Sequence, residues 1–177
     1  AFLSHGDTRH LMLFPSSVEE CYSMGMEAFD LAERFQTPVF VMSDLALGMN
    51  TWMSDEFEYP TKPIDRGKGL DKPTLDRIGK FGRYHDVDGD GVPYRTIPGD
   101  EMPAYFLRGS GHNEWAQYSE RPDDYLQNVD RIGKKFETAR DWLPAPVVEI
   151  NRRASIGFIA YGTSHWAVVE SREQHGS

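Results

Sequence analysis

The chain has 177 residues, 39% of them hydrophobic and 12% aromatic, enough for the core of one domain or one and a half and too apolar for disorder. Its formal net charge of -9 disfavours nucleic acid and anionic membrane surfaces as partners, because both would repel it. No apolar run approaches the roughly 18 to 20 residues that cross a bilayer, no secretion pattern leads the chain, and the single cysteine, Cys21, excludes a disulfide framework or a four-cysteine cluster within it, so a soluble cytoplasmic protein is expected.

Leu11 to Phe14 is a short apolar run closed by Pro15, and Ser17 stands three residues before Glu20 in the pattern of a capping box. A helix is expected from Val18, with Cys21, Tyr22, Gly25, Ala28, Phe29, Ala32 and Phe35 forming one buried stripe. Thr37-Pro38 ends it. Val39 to Met42 is a continuous run of β-formers, which predicts a strand buried on both faces and completes a right-handed, parallel βαβ unit.

From Thr51 to Gly111, prolines and glycines break the chain into short pieces, as in an insertion or connector. Within it Leu75, Ile78 and Phe81 fit one short helix, and segments around Val92 to Ile97 and Ala104 to Leu107 fit a hairpin. Tyr125, Val129, Ile132, Phe136 and Ala139 then mark an amphipathic helix whose other face, with Asp130, Lys134, Lys135 and Glu137, is expected to be solvated. Leu143 to Pro146 has the composition of a stiff linker. Beyond it, Ile156 to Tyr161 is strand-like, Gly162-Thr163 turns, and Ser164 would cap a helix carrying Trp166, Val168 and Val169. The resulting division is 1-59, 60-146 and 147-177, the last reading as the opening of a domain whose remainder lies elsewhere.

The sharpest metal signal is the run Asp86, Asp88, Asp90 before Gly91, which matches the first half of a calcium loop. Position twelve of such a loop calls for a bidentate Glu, but Ile97 stands there and Pro93 stiffens the middle. An Asp- and Gly-rich turn, its carboxylates bonded to nearby backbone, is the competing reading. Asp7, Thr8, Arg9 and His10 gather donors and acceptors ahead of the first strand, suited either to an anionic group or to an ordinary polar loop. Asp44 follows the second strand at its carboxyl end, where ligands of open α/β sheets bind, and would equally cap the turn at Leu45. Cys21 on the apolar stripe reads as a small buried hydrophobe, and the six histidines show no zinc spacing.

Taken together, His5-Gly-Asp-Thr-Arg-His10, Pro15-Ser-Ser-Val18, Ala28 to Glu33, Thr37 to Phe40 and Ser43-Asp-Leu45 resemble the pyrimidine-binding domain of 2-oxoacid:ferredoxin oxidoreductase alpha subunits. Phe81 to Tyr84, Asp86 to Gly91, Pro93 to Thr96 and His112 to Glu114 resemble that family's connecting segment. Ile159 to Gly162 is similar to the start of its transketolase C-terminal-like domain. The resemblance implies an α/β, partial thiamine-diphosphate-binding fold with an irregular insertion. It also implies coenzyme A-dependent oxidative decarboxylation of a 2-oxoacid, with 2-oxoglutarate favoured and electrons passing to ferredoxin. Thiamine diphosphate, Mg²⁺ and a 4Fe-4S cluster would then be held with a beta subunit or partner domain. The match begins downstream of the family's cofactor-contacting glutamate and threonine. The chain is therefore expected to be an internal piece, inactive alone, with no thiamine-contacting residue of its own; Asp7 to His10 and Asp44 are kept as an edge of the cleft or a subunit interface. The alternative is a noncatalytic module stabilised by Ca²⁺ at Asp86, Asp88 and Asp90.

Overall fold

The computed structural model describes residues 9–150 and 152–175. In chain order the elements are β1 (Leu11–Leu13), α1 (Val18–Phe35), β2 (Val39–Val41), α2 (Leu45–Met49), α3 (Lys72–Ile78), α4 (Pro122–Ala139) with a 3-10 turn at Arg140–Trp142, and α5 (Ser164–His175). They divide into two compact units. One holds His10–Ala32, Thr37–Ile64 and residues 144–175, the other Arg9, Glu33–Gln36 and Asp65–Leu143.

The first unit is built on the expected βαβ arrangement. β1 and β2 pair in parallel with Leu11 opposite Val39 and Leu13 opposite Val41, and the Met42 amide extends the ladder by donating to Leu13 O at 2.8 Å. Helix α1 starts where the capping pattern placed it: Ser17 Oγ accepts the Glu20 amide at 3.2 Å. The reciprocal bond differs from a capping box, because the Glu20 carboxylate accepts from the amide and hydroxyl of Ser16, at 2.6 and 2.8 Å, and not from Ser17. Leu11, Leu13, Pro15, Leu31 and Leu47 supply the core here.

Four expectations need correction in this unit. Phe29 is 75% exposed, and Leu31 takes its place in the buried line of α1. At about 100° per residue Leu31 falls some 40° from Phe35 around the helix and Phe29 some 120° away. β2 is half-buried and not buried on both faces: Val41 and Met42 are exposed. Residues 156–161 form no strand, and Ile156, Phe158 and Ile159 stand in solvent with no ladder partner among the described residues. Ser164 is the first residue of α5 and not its cap; the chain turns at Gly162, whose φ of +61° suits glycine, and the His165 amide donates back to Gly162 O at 3.1 Å.

In the second unit Leu70, Val92, Ala116, Phe136 and Ala139 are buried, as is Phe35, the last residue of α1. Gln36 ends that helix in the left-handed region with φ +49°, and its side-chain amide donates to Pro93 O at 2.6 Å. Asp71 caps α3 by accepting the Thr74 amide at 2.8 Å, and Gly79, at φ +73°, stops the helix two residues before Phe81, which therefore lies outside it. The expected hairpin does not form. Arg95 instead bridges in parallel to the 68–70 segment: the Leu70 amide donates to Arg95 O at 2.8 Å and the Arg95 amide to Lys68 O at 3.0 Å. Pro93, Pro98 and Pro103 have no amide to give a ladder. α4 matches its periodicity, except that Tyr125 is exposed and Lys135, assigned to the solvated face, is buried beside Phe136. The cause is Gly91: at φ +80° it lies so close to α4 that a Cβ there would overlap Arg131 O and the Lys135 amide, leaving Lys135 no solvent above it.

Candidate functional site

In the first unit the carboxyl ends of the two strands collect polar groups. Asp44, directly after β2, caps α2 by accepting the Leu47 amide at 3.0 Å, as the sequence allowed. Its other oxygen accepts the hydroxyl of Thr163 at 2.6 Å and the Thr163 amide at 3.0 Å. Those bonds, the hydroxyl's first, hold the Asp44 carboxyl below its ordinary pKa. After β1, Ser16 O accepts the indole N–H of Trp166 at 2.7 Å, and Phe14 packs on Tyr161 with ring centroids 5.0 Å apart. Residues 161–166 thus cover the strand ends where an open α/β sheet offers a ligand site. The sequence singled out Asp44 and the Gly162-Thr163 turn separately and missed their bond.

Of the polar group ahead of β1, Asp7 and Thr8 lie outside the described residues. Arg9 pairs with Glu137 at 3.2 Å, both well exposed. His10 meets Phe40 edge-on at 4.9 Å, and both its ring nitrogens are buried without a hydrogen-bond partner. Cys21 is half-buried, its thiol pushed above the ordinary range by burial and by Glu20.

In the second unit the run of alternating aspartates folds as a tight turn. Asp86 accepts the Asp90 amide at 3.1 Å and the Gly91 amide at 2.9 Å. Asp88 and Asp90 converge on Lys68 Nζ, at 2.9 and 2.8 Å. An internal ammonium therefore occupies the centre that a cation would take. Burial acts to depress Lys68, but the bonds to Asp90 and Asp88 outweigh it and raise its pKa, while Lys68 holds Asp88 low. Among the described residues, no group of three or more His, Cys, Asp or Glu side chains is arranged to hold a metal ion. These observations favour the backbone-bonded turn over the calcium loop. Lys68 carried no signal in the sequence, being 20 residues from its nearer partner.

Beside this turn lies a cavity of about 280 Å³, lined among others by Tyr84, His85, Glu114, Arg131 and Lys134. His85 Nδ1 is 2.7 Å from Glu114 Oε2, and the imidazole stacks on Trp115, over which Lys80 Nζ sits at 3.7 Å. Gly82 permits this packing, since a Cβ there would fall 2.7 Å from the Trp115 ring. Periodicity gave no hint of this cluster; only the Phe81 to Tyr84 and His112 to Glu114 motifs, which carry the family resemblance, pointed to the region.

Among the described residues no helix is long and apolar enough to cross a membrane. Residues 1–70 match the family described as pyruvate flavodoxin/ferredoxin oxidoreductase, thiamine diphosphate-binding. The 2-oxoglutarate synthase subunit KorA of Archaeoglobus fulgidus is 49% identical over 92% of this chain and 38% of its own length. Subunit alpha of 2-oxoacid:ferredoxin oxidoreductase 2 from Aeropyrum pernix is 28% identical over 97% of the chain and 26% of its own. A solved 2-oxoglutarate:ferredoxin oxidoreductase from Magnetococcus marinus, with 2-oxoglutarate, coenzyme A and succinyl-CoA bound, shares the fold with a TM-score of 0.84 and 24% identity, over 97% of this chain and 29% of that one. The chain spans between about a sixth and two fifths of the length of the curated relatives it matches. Nearly all of it is therefore homologous to one continuous segment of the alpha subunits of 2-oxoacid:ferredoxin oxidoreductases, 2-oxoglutarate synthases among them.

Proposed function

We propose that this chain works as part of the alpha subunit of a thiamine-diphosphate-dependent 2-oxoacid:ferredoxin oxidoreductase, which carries out coenzyme A-dependent oxidative decarboxylation of 2-oxoglutarate or a related 2-oxoacid. The observation that carries this reading is the continuous correspondence, 49% identical over 92% of the chain, with a 2-oxoglutarate synthase subunit. The shared fold with the Magnetococcus marinus enzyme agrees with it. Within the proposal, residues 1-59 are the end of a pyrimidine-binding domain, 60-146 a connecting insertion, and 147-177 the opening of a transketolase C-terminal-like domain.

When bound, thiamine diphosphate supplies stabilisation of the carbanion left by decarboxylation. The described residues do not fit its diphosphate and Mg²⁺. The Asp86, Asp88 and Asp90 carboxylates are committed to backbone amides and Lys68, and Asp44 to Thr163 and Leu47. A lone Cys21 cannot hold a 4Fe-4S cluster. Both groups are assigned to a beta subunit or another part of the enzyme, and no chemical step is assigned to a side chain of this chain. Its proposed work is structural: the parallel βαβ unit fixes one wall of the assembled site. Asp7, Thr8, Arg9, His10 and Asp44 are retained as cleft-edge or subunit-contact residues. His10 has the best support, because a buried imidazole with two unpartnered nitrogens costs stability unless another chain completes it.

The test is assembly. The full-length subunit, co-expressed with the beta subunit from the same source, is expected to co-purify as a stoichiometric complex that retains thiamine diphosphate and an iron-sulfur cluster through size exclusion. Two subunits that elute apart, each without thiamine diphosphate, would refute the proposal.

A further inference from the structure

The second unit buries an amine that has no counter-charge. Lys135 on α4 is 9% exposed, and among the described residues its side chain makes no ion pair and no hydrogen bond; its one close neighbour is the Phe136 ring, 5.3 Å from Nζ. The charges that act on it are of its own sign. Arg131 stands one turn back on α4, and Arg131 and Arg83 both face the Tyr84 ring, at 5.8 and 5.4 Å from its centroid. Asp86 offsets Arg131 in part, but its two oxygens are bonded to the Asp90 and Gly91 amides, and no carboxylate counters Lys135. Burial first, then Arg131 and Arg83, bring the Lys135 pKa down to about 8. Near that pH about half of the amine is neutral, and a desolvated lysine beside other cations is an activated nucleophile. The Nε atoms of Arg83 and Arg131 are sealed from solvent, whereas Lys135 Nζ is not, so the amine keeps a narrow opening.

We propose that Lys135 is a carbamylation site, which takes up carbon dioxide on Nζ. The Nζ lone pair attacks the carbon, an N–C bond forms, one C=O π pair moves onto oxygen, and a proton leaves the nitrogen for solvent. Nothing is oxidised or reduced. A buried ammonium without a partner thereby becomes an anion in the field of two guanidinium groups, and the repulsion from Arg131 and Arg83 turns into attraction. Access selects the electrophile. Gly91 lies against the backbone of α4 at Lys135 and covers one side of it, so a bulky acyl donor is excluded, while carbon dioxide is small, linear and uncharged. Dissolved carbon dioxide from any source serves, so this inference does not depend on the oxidoreductase reading.

The test is isotopic trapping. The full-length protein in its native assembly is equilibrated with isotope-labelled bicarbonate and carbon dioxide at about pH 8, treated with triethyloxonium to fix carbamates as ethyl esters, digested and mapped by mass spectrometry. Lys135 is expected to carry the label, and Lys134, exposed and next to it in the chain, to stay unlabelled. The label should be lost from that peptide in Lys135→Met. It should fall in Arg83→Gln and in Arg131→Gln at the same pH, because removing either guanidinium raises the amine's pKa and takes a partner from the anion. A carbon NMR signal of the labelled carbamate in the intact assembly gives a parallel reading that needs neither trap nor variant. No label and no carbamate signal at Lys135, equal labelling of Lys134, or labelling undiminished in both arginine variants would overturn the proposal.

Discussion

Replacing Lys135 with methionine should stabilise the protein at neutral pH, and the gain should disappear in alkali. The ammonium is buried beside Arg131 and Arg83, and its pKa falls from an ordinary 10.5 to about 8. That difference corresponds to about 3 kcal/mol of destabilisation whenever the group is charged in both folded and unfolded states. The sign follows from the lowered folded value. Below pH 8 both states are protonated and the full cost is present; between 8 and 10.5 the folded protein has shed the proton while the unfolded chain still binds it, so stability climbs; above 10.5 the cost is gone. Methionine keeps the apolar stem against Phe136 and removes the charge. Denaturant unfolding in phosphate-free buffer should therefore find Lys135→Met more stable by about 2 to 3 kcal/mol at pH 7 and equal to the parent near pH 11. Comparing the two proteins at each pH cancels the contributions that both share. A variant less stable than the parent at pH 7, or a difference constant from pH 7 to 11, would refute the reasoning.

Gly91→Ala should be severely destabilising, by about 3 kcal/mol or more, since φ +80° and overlap with the α4 backbone act together; the same unfolding assay measures it. Millimolar calcium should leave the melting temperature within about 1 °C, because Lys68 already sits between Asp88 and Asp90, and a calcium-dependent rise would restore the metal-loop reading. Lys68→Met should lower stability by about 1 to 2 kcal/mol in denaturant unfolding through the loss of both part-buried ion pairs. Asp44→Ala should expose the Leu47 and Thr163 amides to hydrogen exchange while leaving the amides of α4 unchanged.

The elements legible in the sequence were those set by local rules. Ser17 before a 3.6-residue apolar period announced α1, β-formers after Thr37-Pro38 announced β2, and the parallel pairing followed from the helical crossover between them. What stayed hidden depended on contacts between residues far apart. Nothing local to Lys135 distinguishes it from Lys134, yet the approach of Gly91, some 40 residues earlier, buries one while the other remains exposed. Lys68 and the aspartates it joins are separated in the same way. Residues 156–161 show the opposite failure: their composition favours a strand, but β structure needs a neighbour to receive its hydrogen bonds. The candidate site was legible only in part. Asp44 was visible from its position after a strand, whereas its bond to Thr163, 119 residues away, left no mark in the sequence.

Catalytic assay of the assembled enzyme puts the central claim to its most direct trial. The full-length subunit, complexed with its beta subunit and loaded with thiamine diphosphate, should reduce ferredoxin or viologen with a 2-oxoacid, most rapidly 2-oxoglutarate, and only when coenzyme A is present. A well-assembled, fully loaded complex that reduces neither acceptor with 2-oxoglutarate, pyruvate or a branched-chain 2-oxoacid would contradict it.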